Sequence, residues 1–179
     1  GDSTPCSILL NNDLTAGVPE ILKDLEQDII PPMALGWHAR QKTHHFGFYR
    51  EVAKEFGDLI GIDPWLVDPL FRNCGQINFL KREGEECLVG NGEMLLEDIG
   101  AKYKEYGIKE QPFVIIKSDA GTYGMGVMTA RSVDDVRNMN RKARTHMSSA
   151  KEGADVTGAI IQEGVYTVEK LGADQATAE

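Results

Sequence analysis

The chain has 179 residues, 41% of them hydrophobic, and a formal net charge of -9. That size allows one domain or two small lobes with a real core, while the acidic balance, with no basic cluster to offset it, argues against a nucleic-acid or anionic-membrane partner. No apolar run approaches the roughly 20 residues that span a bilayer and no secretory signal is present, so the expected location is cytoplasmic.

The first hundred residues read as a lobe of their own. Ser7 to Leu10 is a short apolar strand candidate, and Asn11-Asn12-Asp13 after it is turn chemistry. Pro19 suits the first turn of a helix, with Ile21, Leu22, Leu25 and Ile29 on one apolar face until Pro31-Pro32 ends it. Trp37-His38-Ala39-Arg40-Gln41-Lys42-Thr43-His44-His45 then gathers cationic and titratable groups at a helix start, where the helix dipole favours anions. Two readings are open there. Arg40 and Lys42 hold a carboxylate or phosphate, or the stretch is an ordinary solvated helix entrance. Adjacent residues such as His44 and His45 diverge by about 100° on a helix, which disfavours joint metal ligation.

That helix is predicted from about Thr43 to Ile60, with Phe48, Tyr49, Val52, Phe56 and Leu59 inward and Gly61 beyond its end. Arg72-Asn73-Cys74-Gly75 is too polar for core. Arg72 suits a two-pronged grip on a carboxylate, and a surface ion pair is the plain alternative. A third helix is predicted over Glu93 to Tyr106, with Leu95, Leu96, Ile99 and Tyr103 apolar and Gly107 as C-cap. Residues 107–111 form a boundary, so the chain divides into 1–110 and 111–179. Cys6, Cys74 and Cys87 are odd in number and lack CxxC spacing, which reads as reduced thiols.

Residues 113–128, FVIIKSDAGTYGMGVM, are the most informative stretch. A short, partly β-branched strand delivers Lys117 at its end. Gly121, Gly124 and Gly126 then permit positive φ angles and close backbone approach, so that N–H groups can face an anionic oxygen. The lysine precedes the glycines, which fits neither a Walker A loop nor a dinucleotide fingerprint, and in a kinase glycine loop the lysine lies on the later strand. Residues 127–130 read as a second strand. On the glycines alone, a phosphate lid and a structural turn both remain open.

Ser132-Val133-Asp134-Asp135 is a capping-box-like start, and Val133, Val136, Met139 and Ala143 continue at helical spacing for about three to four turns. Residues 157–163, TGAIIQE, are a strand candidate, followed by Gly164 and the β-rich piece VYTVE. Strand, glycine lid, strand, helix, strand and hinge in that order resemble the nucleotide-binding subdomain of the ATP-grasp ligases. The longer strings CSILLNNDLTAGVPEIL, ALGWHARQKTHHFGFYREVA, DPLFRNCGQINF, KSDAGTYGMGVMT and IIQEGVYTVE together resemble the proteobacterial ATP-grasp type of glutamate-cysteine ligase over almost the whole chain.

The resemblance implies an α/β (α+β), ATP-grasp-like chain: an N-terminal lobe followed by part of the nucleotide-binding subdomain. It also implies ATP-dependent joining of the glutamate γ-carboxylate to cysteine through an acyl phosphate, the first step of glutathione biosynthesis, with Mg²⁺ as cofactor. Lys117 would lie on the α- and β-phosphates. Gly121, Tyr123, Gly124, Met125 and Gly126 would form the lid over the triphosphate. Gln162, Glu163, Gly164 and Val165 would form the adenine hinge. Glu169 would reach the ribose hydroxyls, an exposed strand residue being the plainer alternative. Arg40, Lys42, Arg72 and Asn73 are the candidates for the amino-acid substrates. Members of that family run on past the hinge into strands carrying the magnesium ligands, whereas this chain runs from Gly1 to Glu179. The expectation is an internal piece of a larger ligase, inactive by itself, with the metal ligands beyond residue 179. Another ATP-grasp carboxylate-amine ligase and a non-catalytic ATP-binding module are the alternatives.

Overall fold

The computed structural model describes residues 4–12, 14, 17–35, 40–120, 126–148, 158–167, 170–171 and 176–177. Near the start, β1 (Ser7–Leu9) and β2 (Asp28–Ile30) form a parallel pair in which Ile8 stands opposite Ile29. The helix predicted from Pro19 is replaced by a single 3-10 turn, Glu20–Leu22, followed by an extended Lys23 and by Asp24 at φ 56°. A short helix is marginal unless a face packs against something. Here Ile21 is exposed and Ile29 joins the ladder instead.

α1 (Lys42–Ile60) has the predicted bounds to within a residue and ends on Gly61 at φ 72°. Its inward face is not the predicted one. Phe48, Val52 and Leu59 are 78%, 62% and 83% exposed, and Tyr49 and Phe56 are exposed too. Instead Thr43, Ala53 and Gly57 are buried, with Phe46 against the Phe71 ring and Arg50 stacked over it. Helical period says which residues share a face, not which face meets the core. The small-residue side wins because the chain returns tightly past it: a Cβ on Gly57 would stand 2.9 Å from both the Ile62 carbonyl and the Pro64 ring.

The main sheet contains β3 (Phe71–Cys74), β4 (Val114–Ser118), β5 (Val127–Ala130) and β6 (Ala159–Glu163), in the order β3-β6-β4-β5 with every neighbour antiparallel. Residues 71–74, expected to be too polar for core, are thus an edge strand, and Cys74 is fully buried. Because β3 pairs with β6, the sheet draws strands from both sides of residue 110.

α2 (Glu85–Tyr106) begins before the predicted Glu93 and ends on Gly107 at φ 68°. Gly90 and Gly92 weaken helix propensity there, while Leu88 on the same stretch is buried in the core cluster. The single helix predicted after Ser132 is two, α3 (Val133–Arg137) and α4 (Arg141–Met147). The Ser132/Asp135 capping box is present, and the Asn140 side chain accepts from the Ala143 N–H to start the second helix. β7 (Lys170–Leu171) and β8 (Ala176–Thr177) form a separate antiparallel pair, while residues 165–167 of the VYTVE piece are not in a strand.

Cross-strand partners share a face and alternate residues switch faces. Arg72, Ile161, Ile116 and Met128 are in register, as are Cys74, Ala159 and Ser118. This face is covered by helices: Ile116, Ile161 and Cys74 cluster with Leu88, Leu95 and Ile99 of α2 and with Val136 and Met147. Asn73, Ile160, Lys117 and Val127 line up on the other face, beside the row Phe71, Gln162, Ile115 and Thr129.

Candidate functional site

Lys117 therefore leaves β4 on the face that α2 does not cover. Its Nζ donates to Gln162 Oε1 at 3.0 Å. Gln162 is buried on the adjacent strand, so the amide oxygen holds the ammonium over the sheet. Burial lowers the Lys117 pKa from its ordinary 10.5, because a half-desolvated cation loses hydration that one amide oxygen does not replace.

The N-terminus of α1 is stitched to the end of β4. The Lys42 N–H donates to the Asp119 carbonyl at 2.9 Å. The Asp119 carboxylate accepts from the Thr43 N–H at 2.8 Å and from the Thr43 hydroxyl at 2.7 Å. Gln41 makes no side-chain cap, so a carboxylate from another element caps this helix. Lys42 is thereby placed beside the strand end, its Nζ donating to the Ser118 carbonyl at 2.8 Å. Burial lowers its pKa, the Asp119 carboxylate opposes that, and the nearby Lys117 lowers it further. Two predicted residues from distant parts of the chain thus converge, and their fields add to favour an anion. Asp119 and Thr43 were not singled out from the sequence. A cap supplied by another element leaves no local spacing to recognise.

Other predicted residues fall elsewhere. Arg40 is exposed just before α1. Arg72 points to the helix-covered face and pairs with Asp98 of α2 at 2.7 Å, the plainer of its two readings. Asn73 is exposed in the same row as Lys117, and its carbonyl accepts from Asn91 at 3.3 Å. Gly126 is buried at φ 64°, and its carbonyl accepts from the Ser118 N–H at 3.2 Å. Gly121, Tyr123, Gly124, Met125 and Glu169 lie outside the described residues, as do Trp37, His38 and Ala39.

The hinge segment is anchored on both sides. The Glu163 carboxylate accepts from the Trp65 indole N–H and from the Leu70 N–H, each at 2.9 Å. Burial raises its pKa; those two donors lower it, and Asp68 nearby raises it. The Gly164 N–H donates to the Phe113 carbonyl at 2.9 Å. A Cβ on Gly164 would meet the Phe113 ring at 2.0 Å, so glycine here answers to close packing rather than to bending. Tyr166 packs edge-on against the same ring at 4.9 Å and donates its hydroxyl to the Gln111 carbonyl. Val165 is exposed. Among the described residues no group of three or more His, Cys, Asp or Glu side chains is placed to hold a metal ion, and no helix is long and apolar enough to cross a membrane.

A family model described as glutamate-cysteine ligase matches residues 1–179. A comparison with curated proteins finds no match. Among solved structures, the chain is similar to a protein of Methylobacillus flagellatus KT provisionally named gamma-glutamylcysteine synthetase, with 56% sequence identity and a TM-score of 0.83. The similarity covers 93% of this chain and 39% of that one, so the chain spans well under half the length of its relative.

Proposed function

The chain belongs to the glutamate-cysteine ligase family, and from that premise we propose that the whole protein joins the γ-carboxylate of glutamate to the amine of cysteine with conversion of ATP to ADP. The proposed course is stepwise. The γ-carboxylate attacks the γ-phosphorus of ATP and ADP leaves; the cysteine amine then attacks the acyl carbon and phosphate leaves, giving γ-glutamylcysteine. In this reading the sheet, lid and hinge are the nucleotide-binding subdomain of an ATP-grasp enzyme.

The observation that carries the ATP site is the convergence of Lys117 and Lys42, with Gln162, at the strand end from which the lid departs. Phosphoryl transfer asks a protein mainly for positioning and charge stabilisation. Lys117 and Lys42 would carry the phosphate charge. The backbone of residues 163–165, fixed by Trp65, Leu70 and Phe113, would present its carbonyls and the Val165 N–H to adenine. The lid residues would exclude water from the acyl phosphate. Arg40 and Asn73 remain candidates for the amino-acid substrates, whereas Arg72 already has its carboxylate in Asp98. Mg²⁺ does not fit the residues described: Asp119 is the carboxylate at the site, and both its oxygens are held by Thr43.

The test is ADP release by the whole protein with glutamate alone, cysteine alone and both. Fast release only with both, lost in Lys117→Ala, is the expected result. Release indifferent to cysteine would favour a ligase for another amine. Binding of ATP without turnover would favour a nucleotide-binding module.

A further inference from the structure

Cys74 and Cys87 take no part in the site above, yet they face each other across two elements. Cys74 ends β3 and is fully buried, while Cys87 lies in the first turn of α2 and is exposed. Their sulfurs are 2.9 Å apart. Asn91, one helical turn beyond Cys87, donates its Nδ2 to both sulfurs at 3.2 Å. Burial pushes the Cys74 thiol up to about 12, the neighbouring Cys87 thiol adds to this, and the Asn91 amide opposes it. Cys74 is thus inert to reagents from solution and within reach of a single partner. The sulfur separation exceeds an S–S bond by roughly 0.9 Å, a gap that rotation of the exposed Cys87 side chain can close.

We propose that Cys74 and Cys87 form a reactive dithiol, a modification site for small-molecule disulfides that closes to an intramolecular disulfide between β3 and α2. The exposed Cys87 thiolate attacks a disulfide R–S–S–R, forming Cys87–S–S–R and releasing RS⁻. Cys74 then gives up its proton, attacks the Cys87 sulfur and releases the second RS⁻. The protein dithiol loses two electrons and two protons, and R–S–S–R gains them as two RSH. Asn91 stabilises the sulfur that carries negative charge at each stage. The bond fastens the end of β3, whose Asn73 shares a face with Lys117, to the helix on the opposite face. It depends on no bound nucleotide and goes beyond the ligase reading.

The test uses the full chain carrying Cys6→Ser, reduced and then exposed to hydroxyethyl disulfide, alkylated and digested with trypsin. The expected product is one species in which the peptides 73–81 and 83–102 are joined, lighter by two hydrogens, with both thiols lost together. A lasting hydroxyethyl adduct on Cys87 with Cys74 still free, or two alkylated cysteines, overturns the proposal. In Cys87→Ser, Cys74 should resist the reagent in the folded protein. Reaction of Cys74 at the unfolded rate in that variant overturns it equally.

Discussion

At Lys117 and Lys42 a half-buried positive charge is the local cost that an anion would relieve. Their folded pKa values lie below 10.5, so the unfolded chain binds more protons between the folded and unfolded values, and stability rises as pH climbs through that window. Below their folded values both lysines are charged in both states and the whole penalty is present. Tripolyphosphate should therefore raise the melting temperature most below those values, and the gain should vanish as pH approaches 10.5. Lys117→Ala should abolish the gain while leaving a cooperative melt. Glu163 has the opposite sign. Its raised pKa means that the stability tied to its proton is present at pH below 4.5 and is lost as pH rises through the folded value. Glu163→Ala leaves the Trp65 and Leu70 N–H groups without their acceptor and should cost about 1–3 kcal/mol in urea unfolding. Glu163→Gln, which keeps an acceptor and buries no charge, should cost less.

Among the elements, α1 and α2 make opposite cases. α2 packs the apolar stripe its sequence displays, and Leu95→Ala or Ile99→Ala should cost about 2–5 kcal/mol. On α1 the displayed stripe faces outward. Phe48→Lys and Leu59→Lys should each change stability by no more than about 0.5 kcal/mol, as ordinary surface substitutions do. A large loss in urea titration of either variant would mean that the stripe is packed after all. Strands 114–118 and 127–130, the capping box at Ser132 and the αL glycines at 61 and 107 were legible because each depends on neighbours in sequence. What was not legible depends on distant partners: the strand character of 71–74, the Asp119 cap on α1, the outward turn of Phe48. Lys117 stood out from the sequence, and Lys42 did so as one of several cations, but only the clamp by Asp119 separates Lys42 from Arg40. Gly126 takes the positive φ its type permits, at 64°, and it is buried; Gly126→Val is therefore a strained substitution, which should lower the melting temperature as well as turnover.

For the whole molecule, the strand order matters more than the division at residue 110. β3 needs β6, and the apolar face of α2 needs β4 and β6. A chain of residues 1–110 alone should therefore lack a cooperative thermal transition by circular dichroism, whereas the full 179-residue chain should show one. Two independent transitions would support the boundary expected at residue 110. β4 sits inside this arrangement with one lysine and four apolar or small residues divided between two environments. Inserting a single residue between Phe113 and Val114 is invisible to composition and leaves every side chain intact. It would nevertheless reverse the assignment, sending Lys117 among Leu95 and Ile99 and leaving Ile116 on the face that α2 does not cover. The strand is thus a phase-sensitive code, tolerant of many spellings and intolerant of a frame slip. Length variation in this family should accumulate in residues 107–112 and stop at Val114.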